Sequence, residues 1–366
     1  MNIGLVTIHY ANSYGGVLQA YATQKILLNY GNVEIINYQK QHLADGLKTI
    51  RLGKRPMDLL RTGKDVLRFI PRKKLVIRFK EFIAKHMKCS DVIKNRHEAD
   101  ILSGKYDILV VGSDQVWNPE IVGELDEIYF LAFGEKKCKI SLSSSYGSYK
   151  FKEHERDIVK SKLKAFSSIS VREESSSNEL QELLGITNIK TTLDPTLMLT
   201  ANDWCQIIEP SIPKTKYILV YLLGNDVLLG NSVKIIQGIL GFKVITINQD
   251  PYINFKSDEH VKNAGPLEFI EFFKNASFVV TNSFHGTAFS VNFNKEFITL
   301  PPHSGANRII NLLRNLKLER RYLESTDKIS ETISSRIKYN EANIALEELR
   351  TESADYIKEA IKKCSI

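Results

Sequence analysis

Short apolar runs alternate with longer amphipathic stretches along this chain, and the alternation occurs twice. In the first half, "NIGLVTI" (2–8), "VEIINY" (33–38), "YDILVVGSD" (106–114), "KISLSSSYG" (139–147) and "SSISVREES" (167–175) read as strands. "YDILVVGSD" is apolar at consecutive positions, the mark of a strand covered on both faces in a parallel sheet. The spacing predicts helices over 15–31, near 153–166 and up to about Leu184. "IKTTLDPTLML" (189–199) closes this half. The pattern then restarts with strands at 216–224, 242–248, 277–282 and 296–301, and helices near 230–240, 267–275, 286–293 and 306–317. Strand–helix alternation in two rounds predicts an α/β protein of two Rossmann-like parallel-sheet domains facing a cleft. The expected boundaries are 1–198, 199–338 and a helical tail over 339–366 that crosses back to the first domain.

Ligands of such sheets bind outside the carboxyl ends of the strands. The first strand runs into "HYANSYGG", which supplies Asn12, Tyr14, Gly15 and Gly16. This is a glycine-rich turn at a helix start, open to two readings: a phosphate cradle or a tight strand-to-helix connection. "GSDQVWNP" supplies Ser113, Asp114 and Gln115; Asp114 suits a base, a sugar ligand or a helix cap. Arg172 follows "SISV" and suits a bidentate anion clamp or a surface pair with Glu173 or Glu174. "TNSFHGT" supplies Asn282, Ser283, His285, Gly286 and Thr287, where a strand ends and a helix opens beside backbone N–H groups suited to anions. His285 there is either a proton donor or a satisfied turn histidine. His303 and Arg308 lie in the loop and helix start near the same edge.

Charge changes this picture in one place. The net charge of +8 is concentrated in residues 48–96, where 16 Lys and Arg face four acids, a balance of +12. This segment reads as helical pieces broken near Gly53, Gly63 and Pro71, inserted in the first domain. It is either a structural cover or a surface for anionic membrane, with Arg72, Lys73, Lys74 and Arg78 as the cations that meet lipid. It matches no nucleic-acid module, so no specific nucleic acid is expected. The four cysteines are widely spaced, which argues against a zinc module or disulfide framework and suits a reducing cytoplasm. Nothing in the sequence calls for a metal.

The strings "LVTIHYANSYGGVLQAYA", "VVGSDQVWNP", "SISVREESS", "LDPTLML", "TNSFHGTAFSVNFNKEFITLP" and "NRIINLLRNLKLERR" occur in order over about residues 1 to 320, and together resemble the polysaccharide pyruvyltransferase family. The resemblance implies a fold like the GT-B glycosyltransferases, phosphoenolpyruvate as donor substrate with no cofactor, and a pyruvate ketal formed on a lipid-linked or polymeric sugar of a capsule or exopolysaccharide precursor. The family's His-Gly motif falls on His285-Gly286, and its first-domain arginine on Arg172. Some members carry an arginine two residues before the histidine, where this chain has Ser283; Arg308 is the expected substitute. His285 then acts as general acid and Asp114 as proton acceptor, while Arg172, Arg308 and the N–H groups of Gly286 and Thr287 hold the donor's anionic groups. The alternatives are a GT-B glycosyltransferase using a nucleotide sugar, and a non-catalytic binding protein.

Overall fold

The computed structural model describes residues 1–50, 62–63, 65–66, 68–209, 215–224, 226–250 and 252–365. The expected break at Gly53 lies outside them. The chain divides into two compact units: 1–47 with 83–199 and 347–366, and 48–82 with 200–346.

The first unit is built on five parallel strands, β1 (Asn2–Val6), β2 (Asn32–Tyr38), β3 (Cys89–Ile93), β4 (Ile108–Val111) and β5 (Cys138–Ser141), in the order β3-β2-β1-β4-β5. The "ILVV" of β4 is wholly buried, as its continuous apolar run demands. A two-stranded ladder, β6 (Ser170–Val171) with β7 (Lys190–Thr191), adjoins β5 through isolated bridges at Ile140–Ser168 and Ser144–Val171. The helices include α1 (Tyr14–Leu27), the end of α2 (Phe69–His86), whose residues up to 82 belong to the second unit, α3 (Arg96–Ser103), α4 (Glu153–Leu163) and α5 (Glu174–Leu184).

The second unit repeats the topology with β8 (Tyr217–Tyr221), β9 (Lys243–Ile247), β10 (Glu259–Val261), β11 (Phe278–Thr281) and β12 (Phe297–Thr299), ordered β10-β9-β8-β11-β12. Its helices include α6 (Val227–Leu240), α7 (Pro266–Asn275), α8 (Phe284–Asn292), α9 (Ala306–Asn315) and α10 (Ile329–Ser334). Phe269 and Phe273 of α7 pack edge-on or tilted against Phe289 of α8. In both units the third, second and first strands lie on one side and the fourth and fifth on the other. The order therefore reverses between the first and fourth strands, the switch point at which α/β sheets bind ligands.

Three expectations are corrected. The basic segment is not an insertion of the first domain: residues 48–82 belong to the second unit, and 89–93 form an edge strand, not helix. The reason is specific hydrogen bonding by its arginines. Arg68 donates to the Gln249 carbonyl at 2.8 Å, and Arg78 donates to the Asn263 carbonyl at 2.7 Å and pairs with Glu268, while buried Arg72 closes the segment on itself by donating to the Lys48 carbonyl at 2.8 Å. Pro71 stands in the first turn of α2, where a missing N–H leaves no helical bond unmade.

The second correction concerns only the tail's boundary: the tail is one helix, α11 (Tyr339–Cys364), and its residues belong to the first unit from 347 on, not from 339. Its later turns join the first unit through Tyr356 Oη donating to the Ser141 carbonyl at 2.7 Å and Arg350 Nε to the Leu197 carbonyl at 2.7 Å. Third, Cys138 and Cys364 form a disulfide across 226 residues of sequence. Spacing along a chain says nothing about distance in space, so the inference from spacing to a reducing compartment loses its basis. Among the described residues, no helix is long and apolar enough to cross a membrane.

Candidate active site

At the first unit's switch point, β1 and β4 deliver Thr7–Gly16 and Gly112–Gln115 to the same edge. Thr7 and Gln19 are buried and tie the turn together. Gln19 Nε2 donates to Thr7 Oγ1, the Ile8 carbonyl and the Gly16 carbonyl, and Thr7 Oγ1 reaches the Ser113 carbonyl at 3.2 Å. Ser13 caps α1, its hydroxyl accepting from Gly16 N at 3.3 Å. That bond favours the tight turn over the phosphate cradle, because a leading N–H of the helix is turned inward. Tyr14, Gly15 and Gly16 are buried and Asn12 is half-buried.

Asp114 is half-buried with φ 73°, a left-handed conformation that costs a non-glycine residue about 1–3 kcal/mol. It caps no helix; that role belongs to Asn118, whose side chain accepts from Glu120 N. Two bonds hold the strained turn: its carbonyl accepts from Val116 N at 2.8 Å and Ser145 N at 3.0 Å. The carboxylate thereby approaches the start of α1, with Oδ2 3.5 Å from where a Cβ on Gly16 would stand. Gln115 Oε1 accepts from Asn118 Nδ2 at 2.8 Å.

Arg172 follows β6 and is neither on the surface nor open as a clamp. Its side chain is 3% exposed, its Nη1 donates to Asp194 Oδ2 at 2.6 Å, and its Nε lies 3.3 Å from Glu173 Oε1. Burial works against its charge, but the surrounding Glu173, Asp194 and Asp114 carboxylates outweigh that and hold the guanidinium more firmly protonated than usual. Asp194 also accepts from Ser113 Oγ at 3.2 Å and from both the N–H and hydroxyl of Thr196. The chain of contacts makes Arg172 a positioning residue beneath the 113–114 turn. Sequence reading missed Asp194, although Asp-Pro before "TLML" is a helix-start signal, and Asp194 does cap that short helix. It also missed His9, buried between the Thr7 carbonyl and Asn37 Oδ1, where burial favours the neutral ring.

In the second unit β8 and β11 deliver Leu222–Gly224 and Asn282–Thr287. Asn282 clamps the two ends: its Oδ1 accepts from Leu223 N at 2.8 Å and its Nδ2 donates to the Leu223 carbonyl at 3.2 Å. Ser283 caps α8, accepting from Gly286 N at 3.4 Å, while Thr287 N donates to the Ser283 carbonyl at 2.9 Å. The two N–H groups expected to hold donor oxygens are thus engaged inside the helix, which corrects that assignment. Thr287 Oγ1 meets Thr299 Oγ1 at 2.5 Å, tying α8 to β12.

Glycine at 286 is a steric requirement: a Cβ there would stand 2.2 Å from Thr281 Oγ1, itself held to the Tyr221 carbonyl. The close approach sets His285, half-buried, on the first turn of α8. Its ring meets Phe284 edge-on with centroids 5.2 Å apart, and the Arg308 guanidinium carbon lies 5.8 Å from the Phe284 centroid. Arg308, from α9, therefore shares one aromatic neighbour with His285. Gly224, at φ 76°, leaves space that exposed His303 fills; a Cβ there would be 2.6 Å from its Nε2.

Each cluster sits at the switch point of its own Rossmann-like sheet, and two such units in one chain define a GT-B-like fold. The solved structures agree at the level of fold. They include a putative UDP-N-acetylglucosamine 2-epimerase from Listeria monocytogenes (TM-score 0.54, 10% identity, 99% of this chain and 95% of that one). A UDP-GlcNAc 2-epimerase from Neisseria meningitidis, bound to UDP-GlcNAc, matches with TM-score 0.52 and 11% identity over 99% of this chain and 100% of that one. S. aureus MnaA, solved with UDP, matches with TM-score 0.51 and 10% identity over 91% and 87%. No curated protein matches. The family model for polysaccharide pyruvyl transferase matches residues 14–304, and the chain belongs to that family.

Proposed function

We propose that this transferase takes the pyruvyl group of phosphoenolpyruvate and places it on two hydroxyls of a sugar in a capsule or exopolysaccharide precursor, forming a pyruvate ketal and releasing phosphate. The observation that carries the reading is His285 on the first turn of α8, with the Arg308 cation sharing its aromatic neighbour Phe284. Phosphoenolpyruvate is unreactive toward hydroxyls until its methylene carbon gains a proton. His285, as imidazolium, supplies that proton, and the adjoining carbon becomes electrophilic. A sugar hydroxyl adds to that carbon, its proton passing to Asp114. The carbon–oxygen bond to phosphate breaks, and a second hydroxyl closes the ketal ring, its proton returning to His285. Arg308 offsets the donor's negative charge. None of these steps calls for a cofactor.

The test is incubation with phosphoenolpyruvate and a panel of lipid-linked and model galactosides, glucosides and mannosides. The expected result is phosphate release with a mass gain of pyruvate less one water on one acceptor class. In thermal unfolding, phosphoenolpyruvate is expected to raise the midpoint and UDP-sugars to leave it unchanged. Stabilisation by a UDP-sugar alone would instead point to glycosyl transfer.

Peripheral contact with an anionic membrane belongs to the same proposal, with the residues revised. Arg72 is buried and the partly exposed Arg78 is engaged with Asn263 and Glu268, whereas Lys73, Lys74 and Lys80 are exposed on α2 beside exposed Ile70 and Ile77. Each lysine near an anionic surface contributes about 1 kcal/mol. Co-sedimentation with anionic vesicles at low salt is expected, none with neutral vesicles, and loss when Lys73, Lys74 and Lys80 become Glu. Binding indifferent to this reversal would reduce the face to a structural cover.

A further inference from the structure

We propose that the cavity formed by residues 316–342 binds an anionic glycan chain, a few sugar residues bearing carboxylate or phosphate, at a place separate from the candidate active site. The cavity encloses about 650 Å³, inside the range of about 300–1,000 Å³ usual for small-ligand sites. It lies wholly within the second unit and after the segment 14–304 that the family model matches.

Its charge is the first observation. Lys317, Arg320, Lys328, Arg336 and Lys338 line it and are exposed, and none makes an ion pair with a described residue. Three acids, Glu319, Glu331 and Glu341, stand among them. Arg321 adds no further charge. It is buried, with Nη1 3.2 Å from Glu296 Oε2 and Nη2 donating to the Ser335 carbonyl, so its role is to hold the wall together. The excess of cations is therefore left for a ligand.

Position is the second observation. Glu296, which also accepts from Ile337 N at 2.8 Å, immediately precedes β12 and marks its amino end. His285 and Asn282 follow the carboxyl end of β11, which runs parallel to β12. One wall is thus anchored at the amino end of β12, while Tyr322 and Leu323 of the lining pair with Thr299 at its carboxyl end; none of the candidate site residues lines the cavity.

Half-buried Tyr322 and Ile337 also line it, backed by the buried Leu316 and Leu318. Apolar patches among cations suit sugar rings, which offer C–H faces as well as acidic substituents. Tyr322 is the single aromatic in the lining, too few for the stacking by which proteins hold single-stranded nucleic acid. The glycan assignment rests on the family's polysaccharide substrate. On the ketal reading, each transfer adds a carboxylate to the chain, so a cationic cavity retains the modified polymer more strongly than the unmodified one.

The test is fluorescence anisotropy with labelled oligogalacturonate, a phosphate-bearing oligosaccharide, a neutral malto-oligosaccharide and a single-stranded DNA oligonucleotide, at low salt. Binding of one or both acidic glycans is expected, and the comparison of the two separates carboxylate from phosphate as the recognised group. No binding of the neutral glycan is expected. Replacing Lys317, Arg320, Arg336 and Lys338 by Gln together is expected to weaken acidic-glycan binding by about tenfold or more. Equal binding of the neutral glycan, binding unchanged in the quadruple variant, or tighter binding of the DNA lost in the same variant would each overturn the proposal. Binding is read without turnover, so a protein that failed to use phosphoenolpyruvate would still give an answer here.

Discussion

Replacing His285 by Ala is expected to lower turnover with phosphoenolpyruvate by about 10²–10⁴, the scale of losing a general acid, without changing the unfolding midpoint. The fold is expected to survive because the ring is only half-buried. The turn itself is held by other groups. Asn282 fastens it to Leu223, Ser283 caps the helix, and Gly286 lets α8 approach Thr281. The informative measurement is phosphate release at saturating donor, beside a urea unfolding curve for the same variant. His285→Gln keeps a polar side chain of similar reach but cannot protonate carbon, so it should lose as much activity as Ala. Turnover of either variant within a few-fold of the parent would remove His285 from the mechanism.

Arg172→Ala should act on stability. Removing it leaves Asp194, whose side chain is fully buried, and Glu173, nearly so, without the cation that both share. Breaking a buried pair by deleting one partner costs about 3–5 kcal/mol, because the remaining charge stays out of water without compensation. The urea midpoint should therefore fall markedly, with activity lost through the loosened 113–114 turn and not through donor affinity. Arg172→Lys should fall between, since an ammonium keeps the charge but cannot present separate nitrogens to Asp194 and Glu173 at once. Calorimetry at a temperature where the variant stays folded separates the two roles. Donor affinity close to the parent's supports a positioning residue, and a large loss of affinity in a stable variant would restore the clamp.

The periodicity of apolar residues was sufficient for most strands and helices, because it reports which faces a segment must bury. "ILVV", "YILVY" and "FVVT" are buried in the sheets that their composition requires, and the turns after them carry Asp114 and His285 as the strand–helix alternation implies. Short segments without a strong period were harder. The edge strand β3 lies in a basic stretch that reads as helix, and the three-residue β10 gives no legible pattern. What only the tertiary structure decided are the pairings between residues distant in sequence. Arg172 finds Asp194 22 residues on, Arg78 finds Asn263 185 residues on, and Cys138 finds Cys364 at the far end of the chain. A hydrophobic period is a property of one segment and its solvent. An ion pair, a clamp or a disulfide is a property of two segments and the distance between them, and that distance exists only once both have been placed.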